Sequence, residues 1–240
     1  MSSDKSIHFI SCMNYNYYQI IGKRFLQSII KFVSNDPLIT ITIFCENFLP
    51  SESHPRLNYI STNNFEKTYH TVLKNPKVKS YVKKYAHKVF SVIYTLKKSP
   101  CDFVIWLDSD VLIHHPMTRQ WMLSILVPNE LFSWYLSNGS TWGMETGFMA
   151  FNNHHKQKAL FLKHYQKFYK TPENRGPLPK FKDAFVFAAS IKHLPLECHK
   201  NIARLPSTVE GLFKNSEISQ CITHYISNNK YTNKLSQKKP

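Results

Sequence analysis

The sequence predicts an α/β fold: a single domain with a central mixed, mostly parallel sheet flanked by helices. Three observations predict it. Apolar segments with strand and helix periodicity alternate from residue 7 to residue 110. One of them, Phe103–Leu107, is apolar throughout, as a strand covered on both faces must be. No linker-like composition divides the 240 residues, a length that suits one large domain.

Each element follows from its local pattern. Ile7–Ser11 reads as the first strand. Ile20–Val33 carries Ile21, Phe25, Ile29 and Phe32 at helical spacing. Leu38–Cys45 is β-branched and alternating, hence a second strand, and Leu57–Ser61 is a shorter third. Val78–Leu96 reads as a helix with Val82, Tyr85, Val89, Val92, Ile93 and Leu96 on one side, closed by Ser99-Pro100. The strand Phe103–Leu107 ends at Asp108-Ser-Asp110. Beyond it, Leu131–Tyr135 and Gly147–Phe151 read as strands, with a turn at Asn138-Gly-Ser140. Gln157–Tyr169 and Ala184–Ile191 read as helices around a Pro-containing loop, Pro172–Pro179. The domain is expected over residues 1–227, followed by a mobile Lys-rich tail over 228–240.

Composition narrows the function classes. Lys and Arg number 31 and Asp and Glu 15, a formal charge of +16, with a pI near 9.6. A hydrophobic fraction of 42% supports a core and excludes wholesale disorder. Six glycines exclude a collagen-like chain. The charge attracts polyanions: nucleic acid, anionic lipid or phosphorylated small molecules. No signal peptide pattern opens the sequence, and its apolar runs fall short of the ~20 residues of a spanning helix. A soluble cytoplasmic protein is therefore expected. Five scattered cysteines without a CxxC pair fit a reducing compartment and disfavour a zinc ribbon.

The sharpest chemical signal is the acid pair Asp108 and Asp110 at the end of a hydrophobic strand. Carboxylates beside a core are costly unless a cation or donors offset them. Residues two apart in an extended segment point the same way. Both acids are thus expected to face one hard divalent ion, Mg²⁺ or Mn²⁺, that also takes phosphate ligands. In an open α/β sheet the carboxyl ends of the strands are where ligands bind.

With these residues the sequence resembles the nucleotide-sugar-dependent glycosyltransferases of the GT-A (Rossmann-like) fold. Trp106-Leu-Asp-Ser-Asp-Val111, followed by Pro116, looks like their metal-binding DxD segment. Glu145-Thr-Gly-Phe-Met-Ala-Phe-Asn152 resembles the segment that lies beside the donor sugar. His224, with Ser227 and Lys230, resembles the H-x-x-G-x-x-K ending of the glycogenin/galactosyltransferase-like branch, with Ser227 in place of the glycine. The resemblance implies Asp108, Asp110 and His224 as metal ligands, with Asp108 also placed to bind the ribose. It implies Lys230 and Lys88 toward the diphosphate, and Tyr18, with Asn16 nearby, toward the base. Glu145 and Asp183 are the remaining candidate catalytic acids. Asp183 stands where a polar loop becomes an apolar helix and suits either an N-cap or a general base. Gly147 leaves room for the backbone to approach a sugar.

The implied activity is transfer of a hexose-type sugar from a nucleoside diphosphate sugar, a UDP-sugar, to a hydroxyl. The acceptor is a glycan, a lipid-linked saccharide or a protein, and the basic surface suits peripheral contact with an anionic membrane. Two rival readings stand below it. A basic nucleic-acid-binding protein would use the Lys- and Tyr-rich stretch Lys67–Lys98, which carries no RNA-binding or helix-turn-helix signature. A metal-dependent nucleotidyltransferase would share the sheet and the acids, but no Gly-rich segment follows the first strand.

Overall fold

A computed structural model describes residues 4–33, 35–170, 178, 182–203 and 211–224. Seven strands form one sheet: β1 (Ile7–Asn14), β2 (Ile39–Glu46), β3 (Leu57–Ser61), β4 (Phe103–Leu107), β6 (Ser133–Ser137), β7 (Met144–Asn152) and β8 (His199–Asn201). Their spatial order is β3-β2-β1-β4-β7-β6-β8. β7 runs antiparallel to both β4 and β6, while the other pairings are parallel. The expected mixed, mostly parallel sheet flanked by helices is present. A two-stranded ribbon joins β5 (Val111–Ile113) to β9 (Ile222–His224).

The sheet is covered on both faces because its central strands are apolar on both faces. Phe103, Ile105 and Leu107 of β4 join the layer with Phe25, Leu26 and Ile29 of α2 (Lys23–Val33). Val104 and Trp106 join the opposite layer. That layer contains the buried side of α4 (Ser80–Lys98), together with α6 (Lys158–Lys170) and α7 (Asp183–Ile191). α3 (Lys67–Lys74) packs against α4 and α6, and α5 (Arg119–Ile125) lies between β5 and β6 in the chain. A single turn, α1 (Tyr15–Tyr17), and a π-turn at Tyr18–Gly22 connect β1 to α2.

β1 is longer than its apolar pattern suggests. It holds register with β2 from Ile7↔Ile39 through Asn14↔Glu46. The polar end residues Asn14 and Glu46 thus stand side by side at the carboxyl edge of the sheet. The turn expected after β6 is real: Gly139 has φ 83°, and Asn138 N donates to Gly143 O at 2.9 Å. Positive φ is where glycine avoids the strain of a Cβ. The five cysteines are free. No helix among the described residues is long and apolar enough to cross a membrane.

Candidate active site

The carboxyl ends of β1, β2 and β4 and the amino end of β7 border a cavity of about 480 Å³. That size suits a nucleotide-sized ligand. Asp108 and Asp110 lie in a turn, not in the extended segment expected. Val111 N donates to Asp108 O at 3.3 Å, and Ser109 Oγ anchors the turn on Cys12 O at 2.9 Å. The two side chains consequently meet different partners. Asp108 Oδ1 accepts from Trp106 Nε1 at 2.7 Å and pairs with Lys88 Nζ at 2.8 Å. Asp110, buried, faces His224 Nε2 at 3.2 Å.

The β5–β9 ribbon explains how residues so far apart in sequence meet. Val111 pairs with His224, so the strand after the acid turn carries the histidine to it. β7 completes the group from the other side: Asp108 N donates to Gly147 O at 2.9 Å, which places Glu145 beside the turn. Ligating atoms of Asp108, Glu145 and His224 all lie within 4.8 Å of one another. Burial pushes the Glu145 carboxyl up from its ordinary range. Burial also pushes Asp108 up, against the pull of Lys88. Burial opposes the charged form of His224, but the Asp110 hydrogen bond and charge raise its pKa on balance.

Beside this group is a buried ion network. Lys88 reaches from mid-α4 and spends its three donors on Asp108, Asp183 Oδ2 at 2.6 Å and Thr146 Oγ1 at 3.1 Å. Thr146 in turn donates to Asp183 Oδ2 at 2.8 Å. Asp183 is the first residue of α7, whose cap is Lys182. Its carboxylate also sits at the positive end of the helix dipole. Burial alone would raise its pKa, but Lys88 and these hydrogen bonds bring it below the usual range. Two acids flank the cation, and its pKa rises despite burial.

No family model matches the sequence, and no curated protein matches it. Solved structures do match the fold. Mouse xyloside xylosyltransferase 1 superposes with a TM-score of 0.58 at 12% identity, over 93% of this chain and 99% of that one. An active-site mutant of LgtC gives 0.58 at 10% identity, over 91% and 86%. A glycosyltransferase involved in glycosylation of the major capsid of PBCV-1 gives 0.54 at 13% identity, over 94% and 96%. The chain has the GT-A fold.

On this GT-A frame, Asp108, Asp110, Lys88, Glu145, Asp183 and His224 all border the one cavity. Asn16 and Tyr18 do not. Asn16 is exposed, and Tyr18 is buried with its hydroxyl donating to Glu52 Oε2 at 2.8 Å. Its neighbour Tyr17 borders the cavity instead and hydrogen-bonds Asp110. The sequence held the signal for this swap: Tyr18 extends the buried stripe of Ile21, Phe25 and Ile29, and Tyr17 lies off it. Lys230, Ser227 and the tail lie outside the described residues. Sequence reasoning also missed Thr146, Glu46 and Lys84. Glu46 ends a β-branched strand as Asp108 ends β4, so the rule that singled out Asp108 also selects Glu46.

Proposed function

We propose that this protein is a glycosyltransferase that moves a sugar from a nucleoside diphosphate sugar, a UDP-sugar, to a hydroxyl of a glycan, a lipid-linked saccharide or a protein. The observation that carries the reading is the convergence of Asp108, Glu145 and His224 within 4.8 Å on the cavity wall, with Asp110 bonded to His224. Carboxylate oxygens and one imidazole nitrogen form a donor set that fits Mn²⁺ or Mg²⁺. Asp108, Asp110 and His224 are the proposed ligands, with Glu145 in reach of the same point. When bound, such a cation supplies positive charge that stabilises the departing diphosphate.

The chain's own residues take the other roles. Lys88 has no donor left for a phosphate, so it acts as a positioning residue that holds Asp108 and Asp183. Asp183, with its pKa depressed, is a weak base; it suits a hydrogen bond from a donor-sugar hydroxyl. Glu145, with its pKa raised by burial, is better matched to taking the acceptor's proton. Lys84, one turn before Lys88 and on the cavity wall, is a cation free of that network and suits the diphosphate.

Thermal stability with UDP, with and without Mn²⁺, tests the reading. The transition should rise only when both are present, by roughly 2.7 kcal/mol at a hundredfold excess over Kd. Asp110→Asn should abolish that metal-dependent rise. Absence of a shift with UDP or GDP, together with salt-sensitive DNA binding, would instead favour the nucleic-acid reading. A donor screen with turnover as readout then names the sugar.

A further inference from the structure

Large apolar side chains scattered singly over a surface are ordinary, but a cluster of them is not. Among the described residues, five are exposed: Tyr15 at 56%, Ile20 at 47%, Leu49 at 72%, Tyr81 at 39% and Leu196 at 82%. Four of the five gather around the mouth of the cavity. Tyr15 and Ile20 stand on the connection from β1 to α2. The loop after β2 delivers Leu49 to them. Asn47 takes the left-handed conformation, with φ 58°, and turns the chain out of the strand. Phe48 then packs on Tyr15, with ring centroids 5.9 Å apart, and on Tyr18, at 5.4 Å. The next residue, Leu49, is left in solvent. Hydrogen bonds pin the loop there: Tyr18 donates to Glu52 Oε2 at 2.8 Å, and Tyr59 donates to Glu52 O at 2.7 Å. Tyr81 approaches from the other side. It lies one turn before Lys84 and Tyr85 of α4, which border the cavity, and Lys84 Nζ sits 6.0 Å from the centre of the Tyr17 ring. Leu196 stands before β8, at the opposite edge of the sheet.

The exposed charge of these segments has one sign. From Lys67 to Cys101 the chain holds nine lysines and no acid, and Lys77, Lys79 and Lys84 are exposed. From Lys5 to Asn35 there is again no acid, and the exposed Lys23 and Arg24 follow Ile20. Glu52, the single acid of the loop after β2, is taken up by Tyr18. Apolar and aromatic side chains set among Lys and Arg suit the interfacial layer of an anionic bilayer. Rings and alkyl chains enter the headgroup region while the cations meet the phosphates. A nucleic acid would meet the same cations but leave Ile20 and Leu49 without a role.

We propose that this rim is a docking surface for an anionic lipid bilayer. Tyr15, Ile20, Leu49 and Tyr81 enter the headgroup layer, and Lys77 and Lys79 pair with lipid phosphates. Such contact is peripheral: side chains enter the interface and these segments do not cross it. The face that docks is the face on which the cavity opens, so the site meets the lipid surface directly. Docking needs no bound donor, and it stands apart from the nucleoside diphosphate reading above.

Sedimentation with vesicles tests this on the wild type, on the triple variant Tyr15→Ser, Ile20→Ser, Leu49→Ser, and on the double variant Lys77→Gln, Lys79→Gln. The vesicles are phosphatidylcholine, alone or with about one lipid in three replaced by phosphatidylglycerol. The wild type should bind the mixed vesicles about tenfold or more tightly than the neutral ones. The triple variant keeps every cation of the chain, and it should still lose about tenfold or more in affinity for the mixed vesicles. Leu49→Ser alone, the most exposed of the three, should lose severalfold, and it repeats the test with the least disturbance of the fold. The lysine variant should also lose severalfold, and less in about 0.5 M NaCl, where screening removes most of the charge attraction. Failure of the wild type to sediment with the mixed vesicles overturns the proposal. So does a triple variant that binds as the wild type does and is released by salt, because net charge alone then holds the protein. A wild type that binds the vesicles but shows no thermal shift with UDP and Mn²⁺ overturns the donor reading and leaves the docking surface standing.

Discussion

Lys88 shows how much energy a single side chain holds in this fold. It is 6% exposed, and its ammonium is offset by Asp108 and Asp183. Removing one partner of such a group strands the others, at about 3–5 kcal/mol. Lys88→Met should therefore lose about that much in urea unfolding at pH 7. The deficit should narrow as pH falls, because the stranded acids then take up protons and no longer bury charge. An equal deficit at pH 7 and pH 5 would mean that the loss is one of packing. His8 gives a second pH signature. Its ring is held between Ser99 Oγ at 2.9 Å and Thr42 Oγ1 at 2.8 Å, and burial lowers its pKa from 6.5 to about 4. The unfolded chain binds this proton first, so the stability is intact above pH 6.5 and declines as pH falls toward 4. The loss is about 3 kcal/mol, and His8→Gln should remove that part of the slope in unfolding measured from pH 7 to pH 4. Side chains of this kind were legible unequally. Asp108 and Asp110 announced themselves because acids end an apolar strand. His8 did not, since one histidine among twelve carries no sequence mark of its burial.

Among the elements, length decided what could be read. β3 and β4 match their expected bounds and α7 differs by one residue; for β4 and α7 the reason is a nearly continuous apolar run. β5, β8 and β9 have three residues each, too few to show a period. They exist because partners pair with them: the β5–β9 ribbon is a contact between residues about a hundred positions apart, which no local pattern contains. That ribbon and β7 together bring Asp108, Glu145 and His224 within 4.8 Å of one another, so the site was legible as a set of residues but not as a geometry. β7 also sets a test. A Cβ on Gly147 would lie 3.1 Å from Glu145 Oε1, 3.3 Å from His224 Cε1 and 3.0 Å from Phe213 Cε2. These contacts are tight enough that the neighbours must give way by tenths of an ångström. Gly147→Ala should thus separate Glu145 from His224, weakening Mn²⁺ affinity tenfold or more while the thermal transition moves little. Metal affinity equal to the wild type would show that the two side chains are not held by this contact.

For the molecule as a whole, the open question is the charge excess. Acids number 15 against 31 Lys and Arg, so at least 16 cations have no acid of their own. The GT-A fold uses few of them: Lys88 is neutralised internally, and Lys84 faces the cavity. Five of the fifteen acids, Glu46, Asp108, Asp110, Glu145 and Asp183, border one cleft, so the rest of the surface is more positive than the net figure suggests. Like charges on a compact body repel one another more than on an expanded chain, and this penalty is screened over about 10 Å at 0.1 M salt. The buried Lys88 network is shielded from that screening by its surroundings. Raising NaCl from about 20 mM to about 500 mM should therefore raise the melting temperature, since repulsion is relieved while the internal pairs persist. A gain of roughly 1 kcal/mol corresponds to about 2–4 °C for a chain of this size. A scan of melting temperature against NaCl reads the effect directly. A fall with salt would mean that exposed pairs such as Lys5–Asp102 and Lys97–Glu66 outweigh the repulsion. A rise would mark the surplus cations as held against folding stability.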